Sequence, residues 1–143
     1  MTTRPSVLFV CVKNGGKSQM AAGLSKAHAG EAIHVASAGT DAGSSLDELS
    51  VRSLQEIGID LSDQRPRSLT DDLIRNSDVV VTVGREAQVP AVEGPQFERW
   101  AIDEPSQRGI EGIERMRLVR DDIAARARAL AVGLGVPSVA DRR

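Results

Sequence analysis

Short apolar runs alternate with amphipathic segments along the whole chain. Runs of β-favouring residues lie at 7–10, 32–37, 79–83 and 97–102. Continuous apolar runs of this length are typical of strands that are buried on both faces of a sheet. Apolar positions spaced by three and four predict helices over 19–28, 46–57, 70–75 and 110–134. This alternation predicts a single-domain α/β fold, with a four-stranded parallel sheet, helices on both faces and right-handed crossovers.

Local signals predict where several helices begin, end and bury a face. Ser45 and Glu48 form a capping-box pattern, Gly58 ends the helix that follows, and Thr70 caps the next one. The helix after Ser45 is predicted to bury Leu46, Leu49, Leu54 and Ile57. The final helix is predicted to bury Ile113, Met116, Val119 or Arg120, Ile123, Ala127 and Leu130. Its arginines are predicted to form a solvated face: Arg115, Arg117, Arg120, Arg126 and Arg128.

Length and composition narrow the classes of function. With 143 residues, 41% hydrophobic and 27% charged, we expect one domain over 1–143 and a frayed tail over 136–143. The formal charge of −2 gives no reason to expect nucleic acid or an anionic membrane as partner. No apolar run approaches the roughly 20 residues of a membrane span, and residues 1–5 lack the apolar region of a signal peptide, so we expect a cytoplasmic protein. The one cysteine excludes an intramolecular disulfide and a multi-cysteine metal site. We expect no metal and no bound cofactor.

The candidate chemistry lies in the segment from Cys11 to Ser18, which we call the anion loop. It joins the first predicted strand to the first predicted helix. Backbone N–H groups in such a loop, together with the positive end of the helix dipole, form a cradle for an anion. The same field stabilises a thiolate, so Cys11 is a candidate nucleophile. A nucleotide-binding P-loop fits less well, because the first glycine of that pattern falls on Cys11.

The anion loop reads Cys-Val-Lys-Asn-Gly-Gly-Lys-Ser. It resembles the C-x-x-N-x-x-R-S loop of the low-molecular-weight protein tyrosine phosphatases and of the arsenate reductases that share their fold, which implies flavodoxin-like winding. The Ser-Gln-Met-Ala continuation over 18–21 is similar to the arsenate reductase branch. Ser-Ala-Gly-Thr over 37–40, the apolar run after Asp78 and Glu104-Pro105 also match family landmarks. Lys17 departs from the pattern, because the family has arginine there, and this lysine form is similar to actinobacterial mycothiol-dependent arsenate reductases.

The resemblance implies a role for each matched residue. Cys11 is the nucleophile and Lys17 returns a positive charge to the bound oxyanion. Ser18 either caps the first helix or hydrogen-bonds the sulfur of Cys11. Asp103 or Glu104 is the general acid that protonates the departing oxygen, and the sequence leaves open which of them it is. The oxyanion is expected to contact Val12, Lys13, Asn14, Gly15, Gly16, Lys17 and Ser18.

Ligand sites in parallel sheets lie at the carboxyl ends of the strands, so Cys11, Thr40, Gly84 and Asp103 are expected to share one rim. Three functions then compete: arsenate reduction by thiol transfer, phosphate ester hydrolysis, and oxyanion or redox sensing without catalysis. Trp100 and Phe97 are the only aromatic residues predicted near that rim, which favours a small inorganic substrate over phosphotyrosine. Arsenate is therefore the expected substrate, with phosphate or sulfate as competing anions. With one cysteine, we expect mycothiol as the external thiol co-substrate and mycoredoxin as the partner downstream.

Overall fold

The computed structural model describes residues 4–139, and in this range the predicted fold is confirmed. The strands are β1 (Ser6–Cys11), β2 (His34–Gly39), β3 (Val79–Val83) and β4 (Gln96–Trp100). The helices are α1 (Lys17–Ala29), α2 (Glu48–Gln55), α3 (Asp71–Arg75) and α4 (Gly112–Gly133), with 3₁₀ turns at Gly30–Ala32 and Pro105–Arg108. The strands lie in the order β2-β1-β3-β4 and every pairing is parallel.

The two faces of the sheet bury alternate residues of the central strands. Phe9 and Val81 point into the larger core, which α1, α2 and α4 cover with residues such as Met20, Leu54 and Ile123. On the opposite face, Leu8, Val10 and Val80 pack against Ile74 of α3. Because side chains alternate along a strand, β1 and β3 need apolar residues at every position, and this is the continuous pattern of the sequence. Among the described residues, no helix is long and apolar enough to cross a membrane.

The predicted start of α2 is wrong. Asp47, not Ser45, is the N-cap, and its Oδ2 accepts hydrogen bonds from the Ser50 N–H (3.0 Å) and hydroxyl (2.7 Å). The N–H of Asp47 donates to the carbonyl of Gly15 at 2.7 Å, so residues 45–47 lie against the anion loop and the helix begins after them. At the other end of the helix, Ile57 is 49% exposed because α2 stops at Gln55.

The predictions for the C-terminal part need two corrections. Val136 is buried and its N–H donates to the carbonyl of Ala131 at 2.9 Å, so the frayed tail does not begin there. The buried stripe of α4 ends at Ala131, and Leu130 is only half-buried. Residues 140–143 of the predicted tail lie outside the described range.

Candidate active site

The carboxyl ends of the strands form one rim, as predicted. The N–H of Thr40, after β2, donates to the carbonyl of Cys11 at the end of β1 (3.0 Å). Gly84, after β3, lies beside Lys17, since a Cβ atom built on it would be 3.7 Å from Lys17 Nζ. Lys17, Gly84 and Asp103 line one cavity at this rim. Residues distant in sequence therefore surround the anion loop.

The backbone of the anion loop is held through its carbonyl oxygens. The carbonyls of Val12, Lys13 and Gly15 accept N–H groups of Asp41, Gly43 and Asp47 at 2.7–2.9 Å. Within residues 4–139, no N–H between positions 13 and 16 donates to a protein acceptor. Carbonyls that point outward leave these N–H groups, and those of the first turn of α1, available to an anion.

Gly39 makes the close approach of this backbone possible. A Cβ atom at this position would lie 2.6 Å from the carbonyl oxygen of Val12 and 3.0 Å from the N–H nitrogen of Asn14. Only glycine avoids that overlap. The glycine that ends β2 is therefore part of the site, although in sequence it is only a strand end.

Asn14 orders the loop from inside. It is fully buried and adopts a φ of 54°, a left-handed conformation that asparagine tolerates better than most residues. Its Oδ1 accepts the Arg67 N–H at 2.9 Å and its Nδ2 donates to Ser18 Oγ at 2.8 Å. The backbone N–H can only donate, so it determines the orientation of the amide. The side chain of Gln19 adds a further donor to Oδ1 at 3.2 Å.

The contact between Cys11 and Ser18 answers a question that the sequence left open. The N-cap of α1 is Gly16, and Ser18 Oγ lies 2.9 Å from Cys11 Sγ. Because Asn14 already donates to Ser18 Oγ, the hydroxyl proton of Ser18 is free to point at the sulfur. The sulfur therefore lies beside a hydroxyl group and the N-terminus of α1, which are surroundings typical of a nucleophilic cysteine.

The segment 65–69 lies between α2 and α3, and its backbone closes the site. Gln19 Nε2 donates to the carbonyl of Arg65 at 3.2 Å, and Gly39 exchanges hydrogen bonds with Arg67 (2.8 Å) and Leu69 (2.9 Å). Backbone groups carry these contacts, so residue identity gave no signal that could have revealed them.

A chain of charges crosses the rim above the anion loop. Lys17 Nζ lies 3.9 Å from Glu104 Oε1, and Arg115 of α4 forms a two-pronged ion pair with Glu104 in which both N···O distances are 2.8 Å. Lys13 is exposed and pairs with Asp41 at 2.7 Å. The structure thus brings both Lys17 and Arg115 to the site. Nothing in the sequence indicated that Arg115 belongs there.

The solvated face predicted for α4 is wrong for several arginines. Besides the pair formed by Arg115, Arg120 donates to the Ser53 carbonyl and Arg126 donates to the Ala101 carbonyl. Arg117 is exposed, as predicted, and pairs with Glu56 just after α2. The arginines that leave the solvated face are those that reach partners on other elements: Arg115, Arg120 and Arg126.

Both candidate acids are ion-paired. The hydrogen bonds from Arg115 lower the pKa of Glu104 to about 2, and those from Arg108 lower the pKa of Asp103. Arg108 contacts both carboxylate oxygens of Asp103 at 2.7 and 3.1 Å. In this arrangement each carboxyl group is ionised at neutral pH.

A cavity of about 370 Å³ opens beside Lys17. Polar and charged groups dominate its walls, and no aromatic residue lines it: Lys17, Gly84, Arg85, Glu86, Ala101, Ile102, Asp103, Glu104, Gln107 and Arg108. The prediction that Trp100 and Phe97 lie near the rim holds only for the backbone of Trp100, whose carbonyl accepts the Gly84 N–H at 2.9 Å. The ring of Trp100 is buried against Phe9 with ring centroids 5.5 Å apart, and Phe97 is near the start of β4. No cluster of three or more potential metal ligands occurs in residues 4–139.

We expect Asn14→Ala to destabilise the protein and weaken anion binding. The substitution strands the Arg67 N–H and places alanine in a left-handed conformation, at a cost of about 1–3 kcal/mol in the free energy of unfolding. Urea denaturation measures the stability, and calorimetry with arsenate measures binding. Asn76→Ala is the matched control, because Asn76 is exposed at the end of α3. Equal effects of the two variants would contradict the ordering role.

A lone thiol, a loop of free N–H groups and a helix N-terminus lie together at the end of the first parallel strand of this α/β fold, an arrangement suited to binding an oxyanion beside a cysteine. The chain belongs to the low molecular weight phosphotyrosine protein phosphatase family, whose model matches residues 6–139.

Similar proteins within this family include arsenate reductases. The arsenate reductase of Bacillus licheniformis is 33% identical over 137 residues, covering 90% of this chain and 96% of its own. A structure of a thioredoxin-dependent arsenate reductase of Corynebacterium glutamicum matches with a TM-score of 0.79 and 34% identity, over 94% of this chain and 63% of that one. A structure of an arsenate reductase in the phosphate-binding state has a TM-score of 0.78 and 28% identity, over 90% and 98% of the two chains.

Proposed function

We propose that this protein is an arsenate reductase that acts by thiol transfer, with Cys11 as nucleophile and an external small thiol as co-substrate. The observation that carries the proposal is the position of the Cys11 thiol. Its Sγ is hydrogen-bonded to Ser18 Oγ at 2.9 Å, and it lies at the start of a loop whose N–H groups are free. The likeness to arsenate reductases over 87–92% of the chain supports arsenate as substrate.

The first step is attack of the Cys11 thiolate on the arsenic of dihydrogen arsenate. A sulfur–arsenic bond forms, an arsenic–oxygen bond breaks, and the oxygen leaves as water with the protons that arsenate already carries. The loop N–H groups and Lys17 hold the remaining oxygens while negative charge accumulates on them. Arsenic is still pentavalent after this step.

The second step follows from the cysteine count. The sequence contains a single cysteine, so no second protein thiol can displace arsenic from Cys11. A small external thiolate attacks the arsenic, its sulfur–arsenic bond forms, and Cys11 leaves as thiolate. Mycothiol is the proposed thiol. A dithiol redoxin such as mycoredoxin then attacks the sulfur of the conjugate, and the electron pair of the sulfur–arsenic bond reduces arsenic to arsenite.

Phosphate ester hydrolysis is the second candidate, because the matching family is described as a phosphotyrosine phosphatase and Glu104-Pro105 occupies the place of the family's acid–proline pair. The cradle itself would hold arsenate and phosphate alike. The absence of aromatic residues from the cavity walls is the feature that favours the inorganic substrate, since phosphotyrosine sites stack the ring of the substrate.

We expect sustained arsenite production with mycothiol and mycoredoxin, and none with thioredoxin as the only thiol source, because arsenic stays pentavalent until a small thiol has taken it from Cys11. Arsenite release, para-nitrophenyl phosphate hydrolysis and the mass of the enzyme after turnover are measured together. The mass should show free Cys11, or Cys11 bonded to arsenic or the small thiol. The Corynebacterium glutamicum thioredoxin-dependent enzyme is the positive control for the thioredoxin system. Continued turnover of this protein with thioredoxin alone would reject thiol transfer.

A further inference from the structure

Glu104 is held by donors on both of its oxygens. Arg115 Nε and Ser106 Oγ each donate to Oε2 at 2.8 Å, and Arg115 Nη2 donates to Oε1 at 2.8 Å. Lys17 Nζ approaches the same Oε1 at 3.9 Å. A proton on Oε2 would displace one of the two hydrogen bonds that this oxygen accepts, and a proton on either oxygen would weaken the charge-assisted pair with Arg115.

The surrounding charges reinforce this state. Arg115 faces Glu104 from α4 and Lys17 faces it from α1, while the neighbouring Asp103 is neutralised by Arg108. Glu111 and Asp47 lie near Arg115 and raise its pKa further, so the guanidinium is permanently charged. Arg85 and Glu86 line the same cavity with opposite charges. Asp103, the acidic residue next to Glu104 in the chain, is therefore itself paired.

The ionised state matters differently for two kinds of substrate. An ester oxygen leaves as an alkoxide or phenoxide unless an acid protonates it, and a positioned acid contributes about 10²–10⁴-fold. The oxygen that leaves dihydrogen arsenate can take both protons of that anion and depart as water, so this step needs no proton from the protein. A site whose carboxylates are kept ionised therefore discriminates against esters without any steric exclusion.

We propose that Arg115 is a specificity-determining positioning residue, which keeps Glu104 ionised so that the site lacks a proton donor for ester oxygens and favours oxyanions that bring their own protons. This role of Arg115 rests on the proposed function only for the identity of the oxyanion, arsenate.

The test compares cleavage of aryl phosphates whose leaving groups range from dinitrophenol to phenol, using single-turnover transfer of phosphate to Cys11. In the wild type we expect rates to fall steeply as the leaving group becomes a poorer one. Arg115→Met should flatten this dependence and raise the rate with phenyl phosphate by about tenfold or more at mildly acidic pH, because Glu104 can then donate a proton. Arg115→Lys keeps the charge without the fork and should fall between the two.

The matched control is Arg117→Met, which removes an equally forked pair with the exposed Glu56 on the same helix and should leave the dependence unchanged. Combining Arg115→Met with Glu104→Gln should abolish the gain, which assigns it to Glu104. An unaltered leaving-group dependence in Arg115→Met, or a gain that persists in the double variant, would overturn the proposal.

Direct titration of the Glu104 carboxyl carbon by NMR provides a readout that does not depend on activity. In the wild type the carboxyl group should titrate well below the ordinary glutamate pKa of about 4.3, and Arg115→Met should move it upward. A wild-type pKa in the ordinary range would refute the inference even if no ester were cleaved. If the wild type failed to reduce arsenate while Arg115→Met still showed the flattened leaving-group dependence, only the proposed function would be refuted.

Discussion

Replacing Cys11 by serine is expected to abolish arsenate turnover, a loss of more than about 10³-fold, and to leave the fold in place. The sulfur is the only group of the site that can form a bond to arsenic and later leave as a stable thiolate. A serine hydroxyl at the same position is a far weaker nucleophile and a poorer leaving group. Arsenite formation measured with saturating small thiol tests the expectation.

The structure indicates that this variant will fold. Cys11 is nearly buried at the end of β1, and serine is close to it in size. A serine hydroxyl can keep a hydrogen bond to Ser18, and the contacts of Asn14 are untouched. Circular dichroism, urea denaturation and arsenate binding are the controls, and binding should persist. Substantial turnover by the serine variant would show that Cys11 is not the nucleophile.

Lys17→Ala is expected to weaken arsenate binding by about tenfold to a hundredfold, which corresponds to one charge-assisted hydrogen bond. Its ammonium group is the cation of the anion loop that faces the cavity, and it lies 3.9 Å from Glu104. Removing it also leaves Glu104 paired with Arg115 alone. Calorimetric titration with arsenate and with phosphate, together with the rate of the first turnover, measures the effect.

Two further lysine variants separate position from charge. Lys26→Ala removes a cation from the exposed end of the same helix and should leave affinity unchanged. Lys17→Arg restores the planar fork of the family pattern and should retain or improve phosphate ester cleavage through two-pronged contact. If Lys17→Ala bound arsenate as tightly as Lys26→Ala, Lys17 would have no part in anion binding.

The apolar pattern alone determined the frame of the protein. Unbroken apolar runs in β1 and β3 required burial on both faces, and the intervening helical stripes required parallel pairing, so the strand ends had to meet at one rim. The position of Cys11, between the first strand and the first helix, placed the thiol at that rim. These are consequences of local periodicity and chain connection, which a sequence contains in full.

Only the tertiary structure decided which groups act on Cys11 and Glu104. Ser18 could cap a helix or face the sulfur, and the choice depended on Asn14, whose own orientation depends on the Arg67 N–H, 53 residues away. Arg115 had the sequence signature of a solvated helix residue, and became part of the site because α4 packs so that it reaches Glu104. The ring of Trp100 does not line the cavity, because it packs on Phe9. Such contacts are long-range, and many involve backbone groups common to every residue, so no local pattern can encode them.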